Sequence, residues 1–180
     1  SGSNKILENM NRKHTIEEYL HIVEKLKKAN SNIKFSSDFI IGYPGETQDD
    51  FEKTLQLMKK VKFINSYSFT FSPRPGTPSY KLKKINDNLA KERLTVFQNL
   101  SKKIKTEYRE TLLAKTIPVL FENETKIENQ YFGRDEFFNS VIVESNDNIS
   151  GKIKNINITK VSQNTLFGKI DSKFINKEYA

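Results

Sequence analysis

Glycine and proline are scarce in this 180-residue chain, 7 and 5 in all, yet three of the glycines and four of the prolines fall between Gly42 and Pro78. They form two short segments, and each follows a run of strand character. In the first, Gly42-Tyr43-Pro44-Gly45-Glu46-Thr47, the glycines let backbone approach a ligand closely and Pro44 restricts the turn. Glu46 has the chemistry to accept from an amine or a hydroxyl. Thr47 opens the helix that follows, so free N–H groups at its start face the same space and favour an acceptor or anion. An ordinary strand–turn–helix connection is the competing reading, and residue types alone leave both open. The second segment is Ser72-Pro73-Arg74-Pro75-Gly76-Thr77-Pro78. Its three prolines and its glycine limit the positions open to Arg74, one of only two arginines in the first 80 residues. A pre-positioned guanidinium suits a carboxylate or a phosphate. A rigid crossover whose arginine pairs with a neighbouring acid competes with that reading on equal terms.

The elements that must position these segments are legible from periodicity. Thr15 and Glu18 fit a capping box ahead of Ile16, Tyr19, Leu20, Val23 and Leu26, which repeat at helical spacing. Asn30 and Ser31 break that helix, and 33–41 has strand character, ending in Phe39-Ile40-Ile41. Thr47 and Asp50 form a second cap-like pair before Phe51, Leu55, Met58 and Val61, and 64–71 reads as a second strand. Helix, strand, helix, strand implies parallel pairing with a right-handed crossover, so both segments lie at carboxyl ends of strands, where sites gather in such folds. Residues 86–113 read as one long helix with Leu89, Phe97, Leu100, Ile104, Tyr108 and Leu112 on one side and its Lys and Arg mainly elsewhere. From Ile117 the period becomes two: 118–121, 131–132, 141–143, 153–158 and 166–170 suggest five short strands of a small all-β barrel.

Composition excludes several chemistries. The chain has no cysteine, so disulfides, thiolate zinc sites, a Cys nucleophile and a cysteine-held iron–sulfur cluster cannot come from these residues. Only His14 and His21 offer imidazole, both read as surface helix residues, and no metal site is expected. No apolar run approaches a membrane span, and a cytoplasmic location without membrane contact is the expectation. The net charge is +8, with 25 of 30 basic residues lysine, and it partitions unevenly. Residues 81–116 carry 10 basic against 4 acidic, whereas 117–150 carry 2 against 7 and 151–180 carry 6 against 2. A basic face for nucleic acid would combine the long helix with the last strands; a solvated lysine coat competes with it. Within the barrel, Arg134, Lys152 and Lys169 are the cations beside strands and loops of the type that hold RNA, and Tyr131, Phe132, Phe137 and Phe138 could stack on bases or fill the core.

Three motifs in order carry a resemblance: S-G-S-N-K-I-L-x-x-M-N-R-K-H-T at 1–15, D-F-I-I-G-Y-P-G-E-T at 38–47 and F-S-P-R-P-G-T-P at 71–78, ahead of a small β domain. Together they resemble the C-terminal portion of a radical S-adenosylmethionine methylthiotransferase with its TRAM domain, most similar to the MiaB-type tRNA enzymes. Gly133-Arg134, Asn139, Val141 and Asn164-Thr165-Leu166-Phe167-Gly168 match the TRAM pattern. The resemblance implies an α/β fold with the C-terminal part of a partial (β/α)₆ radical SAM barrel at 1–84, a linking helix at 85–114, a TRAM β-barrel at 115–172 and a tail at 173–180.

The implied reaction adds a methylthio group to C2 of isopentenylated adenosine next to the anticodon, using S-adenosylmethionine and two 4Fe-4S clusters. The implied partners are a tRNA anticodon stem-loop and a sulfur donor of unknown identity. By the resemblance, Ser1, Ser3, Gly42, Pro44, Gly45 and Glu46 match cofactor-binding positions, and Arg12, Ser72, Arg74, Pro75 and Thr77 match substrate-side positions. The cluster cysteines of the family are absent, so the expectation is a piece of a longer polypeptide whose N-terminal half is missing, inactive alone, with apolar strand faces and one unpaired edge exposed. The alternatives are a methylthiotransferase for threonylcarbamoyl-adenosine tRNA or a ribosomal protein, and a non-catalytic tRNA-binding module.

Overall fold

The structure is a computed structural model that describes residues 1–171, and the chain divides between Lys105 and Thr106 into two units. The expected tail at 173–180 lies outside the described residues.

In the first unit, Asn4–Asn9 forms α1 and Ile16–Ala29 forms α2. Thr15 and Glu18 close the expected capping box, each bonding the other's backbone N–H and satisfying two donors at the start of α2. The first strand, β1, spans Ser36–Ile41 and starts later than residue 33. The delay has a local cause: Asn30 holds a turn, its side chain accepting from Asn32 and its carbonyl from Ile33. Helix α3 (Gln48–Val61) crosses over to β2 (Asn65–Thr70), which pairs with β1 in parallel, Ser36 opposite Asn65 through Ile41 opposite Thr70. A 3₁₀ turn at Pro78–Lys81 precedes the long helix α4, Asp87–Glu110.

Phe39 and Ile41 from β1 enter a core built with Val23, Phe51, Leu57, Met58, Val61, Phe63, Phe97 and Ile104. Phe39 sits at its centre, edge-on to Phe63 at 5.4 Å and 4.8 Å from the Phe97 ring. Burial of one such side chain contributes about 1.5–3 kcal/mol. The opposite sheet face exposes Ile40, Tyr67 and Phe69, an arrangement that two strands with helices on one side cannot avoid. Both outer edges of this sheet, rather than one, lack a strand partner among the described residues. Two expectations for α4 change. Leu89 is exposed, with Ala90 buried in its place, and Arg93 and Arg109 are both buried rather than turned to solvent.

In the second unit, five strands close a barrel: β3 (Thr116–Glu124), β4 (Gln130–Asp135), β5 (Ser140–Glu144), β6 (Ile153–Val161) and β7 (Thr165–Ile170), ordered β3-β4-β5-β7-β6. β3 pairs with both β4 and β6, which removes the free edges a small sheet would carry. Val119, Phe121, Tyr131, Val141, Val143, Ile156, Ile158 and Leu166 point inward and fill it, as the period-two pattern requires. Gly133 permits the closure: a Cβ there would stand 2.5 Å from the Leu120 carbonyl oxygen and 2.8 Å from a Val119 methyl.

Candidate functional site

Strand β1 hands over to α3 through Gly42, whose φ of +73° suits glycine, and whose missing Cβ leaves room for Ala90 of α4. Tyr43 and Pro44 are buried, and the Tyr43 hydroxyl donates to the Asn9 carbonyl at 2.9 Å. Gly45 is exposed, and a Cβ there would meet nothing within 4 Å. Glu46, expected to meet an amine or hydroxyl of a ligand, is instead buried against Arg93. Its Oε1 accepts from Arg93 Nη1 at 2.8 Å and from the Gly42 N–H at 3.2 Å. Arg93 also donates to the Glu46 carbonyl at 3.1 Å and to Gln48 at 3.3 Å, with its guanidinium carbon 5.4 Å from the Phe51 ring centre. Burial raises the Glu46 carboxyl above its ordinary value, and the Arg93 and Gly42 hydrogen bonds pull the other way without cancelling it. This carboxylate therefore holds the loop to α4.

The start of α3 is likewise occupied from within. Thr47 and Asp50 cap reciprocally: Asp50 Oδ2 accepts from the Thr47 N–H at 2.9 Å and its hydroxyl at 2.7 Å. The serine segment joins them. Ser3 has the backbone of a helix cap, but its hydroxyl donates to Asp50 Oδ1 at 2.6 Å rather than to its own helix. Lys5 reaches Asp50 at 3.4 Å and the Gly45 carbonyl at 3.1 Å, and the Gly2 N–H donates to Thr54 at 2.9 Å beside Ser1. Burial alone would raise the Asp50 carboxyl, yet the bonds from Ser3, Thr47 and Lys5 hold it well below the usual carboxylate range. An anion at this helix start would face that carboxylate. Of the donors expected there, the Thr47 and Asp50 N–H groups already have acceptors within the cap.

Ser1, Ser3 and the 42–47 loop thus meet around α3, although Ser3 and Asp50 are 47 residues apart. Two cavities adjoin them. One of about 630 Å³ is lined by Ser3, Lys5, Thr47 and Asp50 among others, and one of about 260 Å³ by Ser1, Arg12, His14, Asp38 and Ile40 among others. Neither reaches Gly42 to Glu46 or Arg74. The Ser72–Thr77 loop is held by Thr77, whose N–H and hydroxyl both donate to the Arg74 carbonyl, at 3.2 and 2.8 Å. Ser72, Arg74, Pro75 and Thr77 are exposed, and the Arg74 guanidinium has no acid partner among the described residues.

In the barrel, Arg134 pairs with Glu122 at 2.8 Å and lies 5.4 Å over the Phe132 ring. Lys152 donates to the Asn148 carbonyl at 3.0 Å, and Lys169 is exposed on β7. Of the four aromatics, Tyr131 fills the core, Phe132 and Phe137 are half-buried, and Phe138 is exposed. Periodicity missed a buried polar set here. Arg109 donates to Asn139 at 3.3 Å and to the Gln163 carbonyl, and Asn139 donates in turn to Asp135 at 2.8 Å. Burial lowers the Arg109 guanidinium and Asp135 opposes it, while burial and the Asp135 charge push the Tyr108 phenol up to about 12. A signal existed for Arg93: it lies three residues after Ala90 and four before Phe97, on the apolar stripe.

Comparison with known proteins assigns these two units. Residues 1–58 match the Radical SAM superfamily and residues 110–170 match the TRAM domain. The chain thus carries a Radical SAM segment followed by a TRAM domain. Three relatives named tRNA-2-methylthio-N(6)-dimethylallyladenosine synthase are similar to it. That of Pelagibacter ubique (strain HTCC1062) is 50% identical over 94% of this chain and 38% of its own length. Those of Wolbachia pipientis subsp. Culex pipiens (strain wPip) and Ehrlichia ruminantium (strain Welgevonden) are each 47% identical, over 93% and 94% of this chain and 39% of their own lengths. The chain spans less than two-fifths of these relatives. Radical SAM chemistry uses S-adenosylmethionine and an iron–sulfur cluster, and the residues here do not fit a cluster: the chain has no cysteine, and no metal-binding group of His, Asp or Glu forms among the described residues. No helix among them is long and apolar enough to cross a membrane.

Proposed function

We propose that this chain supplies the C-terminal wall of a (β/α)₆ radical SAM barrel and the tRNA-binding TRAM barrel of a cytoplasmic tRNA methylthiotransferase. The product of that enzyme carries a methylthio group on C2 of N6-dimethylallyladenosine beside the anticodon. The observation that carries this reading is the similarity to synthases of that name across both units and the helix between them. On this reading 1–84 is the barrel part, 85–114 the linking helix and 115–172 the TRAM domain. Cluster ligation falls to residues outside these 180.

Within the site, Ser1, Ser3, Gly42, Pro44, Gly45 and Glu46 shape the cofactor side. Asp50 and Arg93 are positioning residues that fix the serine segment and the Gly42–Glu46 loop to α3 and α4. Arg74, exposed and unpaired, is placed to meet a substrate phosphate or carboxylate, with Arg12, Ser72, Pro75 and Thr77 on the same substrate side. Arg134, Lys152 and Lys169 meet the anticodon stem-loop. The test is a chimera in which these residues replace the matching part of the Pelagibacter ubique synthase, expressed in cells lacking their own enzyme. Nucleoside mass spectrometry should recover the methylthio group on dimethylallyladenosine. A chimera that loads its clusters and leaves that nucleoside unmodified, or modifies threonylcarbamoyl-adenosine instead, overturns the reading.

A further inference from the structure

The barrel carries a row of apolar side chains on the side that its core does not need. Along β4, Tyr131, Gly133 and Asp135 are buried and Phe132 lies between them on the outer face. Ile142 holds the same outward position between Val141 and Val143, and Phe167 follows buried Leu166. The register places Phe132 opposite Ile142, Ile142 opposite Phe167, and Phe167 opposite Lys160, one row across four strands. None of these three apolar residues belongs to the barrel core, which closes without them. The solvent side of such a strand ordinarily reads polar; here it carries three apolar side chains, each half-buried, and a partner would complete their burial.

We propose that this row is a stacking platform for unpaired RNA nucleotides, with one base on Phe132 and another on Phe167. Charge names the occupant. Arg134 lies 5.4 Å over one ring and Lys160 lies 5.6 Å over the other, a cation at each end of the row. Lys169 shares the outer side of β7, two residues beyond Phe167. A ring with a cation beside it offers a base a stacking face and its phosphate a counter-charge. Glu122, now 2.8 Å from Arg134, is the carboxylate that an incoming phosphate displaces. Strand spacing sets the two rings about 10 Å apart, with Ile142 between them, which fits two splayed nucleotides of a loop. A-form duplex keeps its bases stacked on one another and offers none to such a surface.

The proposal rests on the tRNA-binding reading and adds to it where on the barrel, and with which face of the nucleotide, contact is made. It is tested by fluorescence anisotropy of the full chain with an anticodon stem-loop RNA carrying one 2-aminopurine in its loop, against a blunt RNA duplex of equal length. Phe132→Ala and Phe167→Ala should each weaken stem-loop binding by about 5- to 100-fold and remove the stacking change in 2-aminopurine fluorescence. Duplex binding should not change. Phe167→Leu keeps the apolar bulk without a ring and should lose as much as Ala, while Phe167→Tyr should keep the affinity, which separates stacking from a folding defect. Tight wild-type binding that the Ala and Leu variants share overturns the platform and leaves the tRNA reading standing. A wild-type chain that binds neither RNA overturns the platform and the TRAM role together.

Discussion

Removing Arg93 should cost this protein more than removing any exposed charge, and the structure supplies the magnitude. Its guanidinium makes hydrogen bonds at 2.8, 3.1 and 3.3 Å, to the Glu46 carboxylate, the Glu46 carbonyl and Gln48. The side chains of Arg93 and Glu46 are only 6% and 2% exposed, so water cannot replace the lost partner. Breaking a buried ion pair from one side costs about 3–5 kcal/mol, because the remaining charge stays desolvated. Arg93→Met and Glu46→Gln should each approach that range, while the double variant, which buries no lone charge, should cost less than either single one. Urea unfolding followed by far-UV circular dichroism reads all four proteins, with an unchanged slope showing that the same surface unfolds. Glu46 also leaves a mark on pH. Its folded carboxyl is raised above the ordinary 4.5, so the folded state binds more protons and stability falls as pH rises from 4.5 through the raised value. Glu46→Gln should remove that component. Single and double variants whose losses simply add would refute the coupling, and with it the claim that this pair clamps the loop to α4.

The Asp50 carboxyl has the opposite sign: held below its ordinary 3.8, it contributes stability above that value that is lost as pH falls below it. Asp50→Asn should flatten the acid side of the urea-midpoint profile, and an unchanged acid limb would refute the assignment. Ser3→Ala removes its 2.6 Å bond to that carboxylate and should cost about 1.5–3 kcal/mol by the same unfolding assay. Gly133→Ala drives a methyl to 2.5 Å from the Leu120 carbonyl, so strands β3 and β4 must part locally, lowering the barrel's stability by about 1–3 kcal/mol and speeding hydrogen exchange at both strands. Asn139→Ala leaves Arg109 and Asp135 without their shared partner and should cost about 1–3 kcal/mol, whereas Phe138→Ala, at an exposed position next door, should leave the unfolding midpoint near wild type.

The sequence by itself determined what depends on neighbours in the chain. Both capping boxes, the helix periods, the change to period two at Ile117 and the two Gly/Pro-rich turns are local, because each rests on residues three or four apart or on alternation along one strand. The ordered motifs were enough to carry the resemblance to methylthiotransferases, and the absence of cysteine was enough to exclude cysteine-held cluster ligation by these residues. Tertiary structure decided everything that depends on residues far apart in sequence. Glu46 reads as a free acceptor until Arg93, 47 residues later, is folded against it; Ser3 reads as a cap until Asp50 accepts its hydrogen bond. Phe132 and Tyr131 are adjacent aromatics that composition cannot rank, and only closure of the barrel sends one inward and the other out. Local geometry follows from a few torsions and hydrogen bonds that the chain makes with itself nearby. Burial and charge pairing follow from which distant surfaces close on each other, so a buried arginine and an exposed one look alike until they do.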